Sequence, residues 1–339
     1  MTATTTAENP SGVLLFKLME SFVSGFALLA AADLGIADAL AGGPQTSEEL
    51  ARATASHPPS LNRLLRVLAA EGIVSEVEPG RFALTAVGAS LPTASPGSLR
   101  PFLQLLSELM LPALAETAHT VRTGEPAFPR IFGASLYDYL EKQPQLDETF
   151  GRAMNAIRNV APPVSQAYDF SAVHTLVDVG GGRGWRMIDV LQAHPQVRGV
   201  LFDRPGTVEQ ARAALAEAGL SERCEVVAGS FFDQVPAGGD CYLLSAVLPN
   251  WDDSSALTIL RNIRQAMPDE ARLLLFEPVL PEGDQPHIAR ALDLLMLVAL
   301  GGKVRTEAEL SRLLEAAGLR LNRVIATAAP MAVVEAVPA

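Results

Sequence analysis

The chain is poor in sulfur. Its 339 residues include two cysteines, Cys224 and Cys241, in separate segments, which excludes a disulfide framework and a cysteine-rich zinc site. It is also short of positive charge: 26 basic side chains against 38 acidic ones leave a net charge of −12. That balance repels phosphate backbones and anionic lipid, so neither nucleic acid nor a membrane is an expected partner. The first residues, Met1 to Ser11, are Thr/Ala-rich and lack the basic n-region of a signal peptide. An uninterrupted apolar run is missing too. The longest stretch, Phe22 to Leu40, is broken by Ser24, Gly25, Asp33 and Asp38 and is periodic, which suits a buried helix better than a membrane span. The expected location is cytoplasmic. With 49% apolar and 19% charged residues, the sequence has ample core for two or three ordinary domains and no compositional case for disorder.

The N-terminal part is helical by pattern. Val13 to Leu40 has apolar residues at helical spacing, with small residues between Phe22, Phe26, Leu29 and Ala30. Thr46 and Glu49 form a capping box, and Leu61, Leu64, Leu65 and Leu68 share one face of a helix ended by Gly72. Ile73–Glu76, a Pro79-Gly80 turn and Arg81–Thr85 give a hairpin signal. Three helices and a hairpin make a winged helix. Its third helix offers only Arg63 and Arg66 in an acidic chain, so a dimerisation scaffold is a better reading than DNA binding. Pro92 to Pro101 marks a boundary, followed by helices expected over Phe102–Arg122 and Leu136–Val160. The expected domains are 1–98, a winged-helix dimerisation domain; 99–168, a helical linker and substrate lid; and 169–339, an α/β doubly wound, Rossmann-like domain.

From Thr175 onward, short apolar strands alternate with helices: Leu176–Val179, Val200–Asp203, Glu225–Val227, Cys241–Leu244 and Arg272–Glu277. That alternation means parallel βαβ units and a ligand site beyond the carboxyl ends of the strands. Asp178-Val179-Gly180-Gly181-Gly182-Arg183-Gly184 stands where the first strand turns into its helix, and glycines there let backbone approach a ligand closely. Asp203 ends the second strand, where a carboxylate can accept both hydroxyls of a ribose. A dinucleotide fingerprint is not cleanly met, because Gly180-x-Gly182 is followed by Trp185 where the third glycine belongs. The acidic Asp178 opening the loop suits a cofactor with a cationic amino-acid tail better than a pyrophosphate.

Here the chain resembles the small-molecule O-methyltransferases of plant caffeate and flavonoid type and their bacterial natural-product-tailoring relatives. The resemblance runs through Phe132–Leu140, Phe150–Met154, Leu176–Gly182, Gly229-Ser230-Phe231-Phe232, Trp251-Asp252-Asp253 and Gly301-Gly302-Lys303-Val304-Arg305-Thr306. It implies a homodimer through the N-terminal domain, and S-adenosylmethionine held at Asp178, Gly180, Gly182 and Asp203, with Arg204, Ser230 and Ser245 beside it. It also implies Phe231 packed on the adenine and helices closing over a small-molecule acceptor. Phe132, Phe150, Met154, Trp251 and Met296 are the candidate pocket wall, and no metal is expected.

The resemblance breaks where the chemistry should be. The family reads His-Asp-Trp after the fourth strand, its histidine being the general base; here the segment is Pro249-Asn250-Trp251, and proline cannot accept a proton. Of two glutamates that flank that histidine in the family, Glu277 is kept and the other is Val304. The adenine-contacting aspartate is Ser230, a weaker partner. None of the five histidines, His57, His119, His174, His194 and His287, is an obvious replacement. Glu277 and Asn250 are therefore the candidate catalytic pair: a buried carboxyl with a raised pKa and an amide that orients a substrate without accepting its proton. Two readings stay open. One is methyl transfer to an acceptor that needs no strong base; the other is a methyltransferase-fold enzyme (hydroxylase, decarboxylase, cyclase or pericyclase) that uses the cofactor electrostatically or not at all.

Overall fold

A computed structural model describes residues 10–157, 162–327 and 330–339. The chain divides into two compact units, Met1–Glu108 and Leu109–Ala339. In the first, the helix Pro10–Leu34 ends at a left-handed Gly35 and is followed by the helix Ile36–Leu40. Strand β1 (Gln45–Thr46) leads into the helix Ser47–Ala53. The capping box forms as expected: Glu49 N donates to Thr46 Oγ1 at 3.2 Å, and Thr46 N donates to Glu49 Oε2 at 2.8 Å. The helix Pro58–Ala70 buries Leu61, Leu65 and Leu68, and the hairpin β2 (Val74–Glu78) and β3 (Arg81–Leu84) completes a sheet of order β1-β3-β2. Phe82 plugs the core among Ile36, Leu40, Leu50 and Leu65. The Pro92–Pro101 segment belongs to this unit: Thr93 N and Oγ1 both donate to the Asp38 carboxylate, which also pairs with Arg100.

The apolar run Phe22–Leu40 is buried only in part: Phe22 is 67% exposed and Phe26 45%, as is Phe16 before it at 72%, while Ala27, Leu29, Ala31, Ala32, Ile36 and Leu40 are buried. Ala27, Ala31 and Ala32 face the unit's core with Leu29, and among the described residues none covers Phe16, Phe22 or Phe26. By length and composition alone, Gly12–Leu34 could cross a membrane.

The second unit is built on a seven-stranded sheet: β4 (Thr175–Val179), β5 (Arg198–Asp203), β6 (Cys224–Ala228), β7 (Cys241–Ser245), β8 (Arg272–Pro278), β9 (Leu319–Ala326) and β10 (Met331–Pro338). Its order is β6-β5-β4-β7-β8-β10-β9. Strands β4 to β8 are parallel; β10 runs antiparallel to both β8 and β9. The parallel strands are covered on both faces, Val177 and Tyr242 packing to one side and Leu176 and Leu243 to the other, which is why they read as continuous apolar runs. Chain order reverses at β4, whose neighbours are β5 and β7, the switch point at which such sheets bind ligands.

The long helices expected before the sheet are broken. Phe102–Arg122 resolves into segments that include Arg100–Leu105, Leu111–Ala115 and Thr117–Thr123, with Pro112 in the first turn of the second. Leu136–Val160 becomes Leu136–Glu141 and Pro144–Ile157, parted just before Pro144; its expected end at Val160 lies outside the described residues. Pro112 follows the π-helical stretch Leu106–Met110 and Pro144 opens the helix after the second break, and proline disfavours a helical residue before it.

Candidate active site

The glycine loop follows β4. A side chain at Gly180 would stand 2.9 Å from Val247 Cγ2 and 3.6 Å from Phe231 Cε1, so only glycine lets this backbone lie against the wall that Phe231 forms. Asp203, at the end of β5, clips the loop in place: Oδ2 accepts from Gly182 N at 2.8 Å and Oδ1 from Arg204 N at 2.7 Å. Burial raises its pKa, and these two N–H groups oppose the rise. Asp178 is wholly buried beneath the loop, with Gly181 directly over its carboxylate. Neither of its oxygens has a hydrogen-bond partner among the described residues. Burial, and then the charge of Asp203, push it up to about 7, with Arg186 pulling the other way. Arg186 is sandwiched between the Trp185 and Phe276 rings, 3.7 and 4.3 Å from their centroids, and its Nε donates to Ser245 Oγ at 3.3 Å.

Aromatic side chains make the opposite wall. Phe231, Phe232 and Trp251 meet edge to face at 4.8–6.0 Å, and Asn262 Nδ2 holds the carbonyls of both phenylalanines at 2.9 Å. Ser230 Oγ accepts from Phe232 N at 3.2 Å, closing the turn that presents Phe231. Tyr137 stacks on Trp251 at 5.9 Å, meets the edge of Phe150 at 6.3 Å and lies under the Arg204 guanidinium at 5.1 Å. Desolvation pushes its phenol up to about 12, Arg204 and Asn250 opposing and Asp203 adding. No local pattern marks Tyr137, because what makes it part of the site is contact with residues remote in the chain. Phe150, Trp251, Phe231, Arg204 and Asp203 thus come together around it. Phe132 instead joins Phe128 and Tyr139, at 4.3 and 5.2 Å. Met154 lies one turn beyond Phe150 on the helix Pro144–Ile157, and Met296 lies on the helix Ile288–Leu300; both are half-buried.

After β7 the chain turns sharply. Ala246 holds a left-handed φ of +54° and leads into a single 3-10 turn, Leu248–Asn250. Asn250 Nδ2 donates to Ala246 O at 3.1 Å, and its side chain also hydrogen-bonds Tyr137. Pro249 is buried, its carbonyl accepts from Lys303 N at 2.9 Å, and a Cβ on Gly302 would overlap that carbonyl. Arg305 staples the turn, donating to the carbonyls of Leu248 and Trp251 and to Asp253 at 2.9–3.1 Å. Val304 is buried, and its N–H donates to Asp293 Oδ1 at 2.9 Å. Glu277, at the end of β8, is 2% exposed; its Oε2 has no hydrogen-bond partner among the described residues. Burial pushes it up to about 8 against the pull of Arg305. Four of the five histidines make contacts elsewhere: His287 Nδ1 caps the helix Ile288–Leu300, His57 meets Ser60, His174 meets Asp240, and His194 packs on Phe170; His119 lies on the helix Thr117–Thr123.

Buried carboxylates under and beside a glycine cradle, facing an aromatic wall, fit an adenosyl group with a charged amino-acid tail. Fold and site together define an S-adenosylmethionine-dependent methyltransferase. A family model for the O-methyltransferase domain matches residues 114–320, and one for the O-methyltransferase dimerisation domain matches residues 16–94. The chain belongs to the O-methyltransferase family. It is 43% identical over 330 residues to the phenazine O-methyltransferase PhzM of Lysobacter antibioticus, covering 97% of each chain. It matches the crystal structure of CalO1, a methyltransferase in calicheamicin biosynthesis in its S-adenosylhomocysteine-bound form, with a TM-score of 0.86 at 37% identity, covering 98% of this chain and 100% of that one. It is also 36% identical over 315 residues to the aclacinomycin 10-hydroxylase RdmB of Streptomyces purpurascens, covering 91% of this chain and 84% of that one.

Proposed function

We propose that the protein methylates a small aromatic natural-product acceptor whose hydroxyl is already ionised, with no proton-accepting side chain at Pro249. The meeting of the glycine loop, Asp203 and the Phe231–Trp251–Tyr137 wall at the ends of β4, β5 and β7 carries this reading. When bound, S-adenosylmethionine supplies a methyl group on a positively charged sulfur. Asp203, Gly180 and Gly182 hold the ribose side, with Arg204 and Ser245 beside them and Ser230 and Phe231 at the adenine. Tyr137, Phe150 and Trp251 hold a planar acceptor by stacking, with Met154 and Met296 closing its edges and Phe132 further out. Orientation of this kind can supply about 7–11 kcal/mol of the barrier. Lack of a base would cost ~10²–10⁴-fold for a neutral phenol, and little for a phenolate. Glu277 is protonated at neutral pH by its position, so it donates a hydrogen bond to the acceptor rather than taking its proton.

The domain scheme that goes with this reading is 1–98 for dimerisation, 99–168 as lid and linker, and 169–339 for the cofactor, in a cytoplasmic enzyme. The exposed stripe on the helix Pro10–Leu34 is covered by a second copy of the chain. The double variant Phe22→Glu/Phe26→Glu is expected to sediment as a monomer while the wild type sediments as a dimer; an unchanged dimer would move the interface elsewhere. A non-methylating enzyme is the second reading, favoured by Pro249 and Val304 standing where the family carries proton-accepting side chains and by the similarity to a protein named a hydroxylase. Methyl-labelled S-adenosylmethionine offered with phenols of graded acidity separates the two. Labelled product and S-adenosylhomocysteine should form at rates that follow the ionised fraction of the phenol. Acceptor turnover with the cofactor unconsumed would establish the second reading instead.

A further inference from the structure

Arg183 sits in the glycine loop between Gly182 and Gly184, both left-handed at φ +58° and +82°. Backbone of that kind has little preference of its own, so whatever holds it must come from outside. The Arg183 side chain reaches the helix Pro144–Ile157 and fills the notch left by Gly151, where a Cβ would overlap its Nε and Cζ. Its Nη2 donates to Glu148 O at 3.2 Å. The carboxylates of Asp147 and Glu148 attract it, while burial and Arg152 work against its charge. Gln210, on the helix Pro205–Glu217 that follows β5, reaches Asp147 at 3.5 Å and ties the same helix to the Asp203 side of the cleft. Phe150 and Met154 lie on either side of Gly151 along that helix.

We propose that Arg183 is a positioning residue that fixes the cofactor loop to the helix bearing Phe150 and Met154, so that loop and acceptor wall are set as one body. The cofactor half of this stands on family membership; the acceptor half rests on the reading given under Proposed function. An unanchored loop would have to be ordered by the ligand itself, at about the backbone entropy of one residue, which corresponds to roughly tenfold in affinity.

The test uses S-adenosylhomocysteine on the full chain, because its uncharged sulfur is indifferent to the loss of a nearby cation. Gly151→Ala pushes the latch open from one side and Arg183→Met removes it from the other. Both are expected to weaken binding in calorimetry and to speed dissociation in stopped-flow fluorescence by about tenfold, with the melting temperature of the ligand-free protein unchanged. Arg183→Lys, which keeps the charge and a donor for Glu148 O, should recover most of the affinity. Wild-type dissociation in both Gly151→Ala and Arg183→Met would overturn the proposal. So would a loss that tracks a lowered melting temperature and is not rescued by lysine. Neither result depends on an acceptor, so failure here leaves the methyl-transfer reading standing. Failure of that reading shows separately, as absent methyl product with intact binding.

Discussion

Replacing Asp203 with asparagine is expected to weaken S-adenosylhomocysteine binding by about a hundredfold. The carboxylate does two things that an amide cannot do together. It accepts from Gly182 N and Arg204 N at 2.8 and 2.7 Å, and it keeps the negative charge that makes those bonds and any bond from a ribose hydroxyl strong. Charge-assisted bonds contribute ~1.5–3 kcal/mol each, so turning one oxygen into an NH2 that faces an N–H donor costs on the order of two such bonds. The bonds from Gly182 N and Arg204 N also hold the loop in the ligand-free protein, so part of the loss should appear there as a lowered melting temperature, offset by relief from burying the charge of Asp203. The loss should be equally large for 5′-methylthioadenosine, which has the ribose without the amino-acid tail. Calorimetry with both ligands reads this directly. A variant that binds either one as the wild type does would place the ribose contact on another group.

The sequence showed the parallel strands because they are covered on both faces and so read as plain apolar runs bounded by helices. The glycine loop and Asp203 were visible for a similar reason: each stands at the carboxyl end of a strand, where a local pattern fixes the position. Strands β9 and β10 went unread. Arg320, Asn322 and Arg323 interrupt β9, which lies at the outer edge of the sheet, and such a mixed pattern does not separate strand from loop. Tyr137 and the Arg183–Gly151 contact were out of reach altogether, since each joins segments that only the folded chain brings together. The N-terminal helix teaches the converse lesson. Its apolar spacing suits a buried helix, yet Phe16 and Phe22 are left exposed by the described residues of this chain.

Glu277→Gln is expected to make the protein more stable at pH 8 and no more stable, or slightly less, at pH 5. The folded protein holds Glu277 near 8, against an ordinary value of 4.5, because its carboxyl is buried. A group whose folded pKa is raised supports the fold while it stays protonated. That support is complete below about 4.5 and drains away as pH rises through 8. At 1.36 kcal/mol per unit, the wild type gives up about 4 kcal/mol between those limits. Glutamine never ionises and avoids that loss, but it buries an extra donor at a site where Oε2 already lacks a partner, a cost of ~1–3 kcal/mol. The net gain at pH 8 is then roughly 2 kcal/mol, or several degrees of melting temperature, vanishing toward pH 5. Melting curves of both proteins across that range decide it, and parallel curves would mean that Glu277 titrates normally. The same pair tests its part in catalysis. A residue that serves as a neutral hydrogen-bond donor keeps that ability as glutamine, so turnover at pH 7 should survive Glu277→Gln within about tenfold and fall further in Glu277→Ala. In the wild type, turnover of an acceptor that is fully ionised throughout should decline as pH passes 8, when the donor becomes a carboxylate, and in Glu277→Gln that decline should disappear. A rate that instead climbs through pH 8 and collapses in the glutamine variant would make Glu277 the missing base.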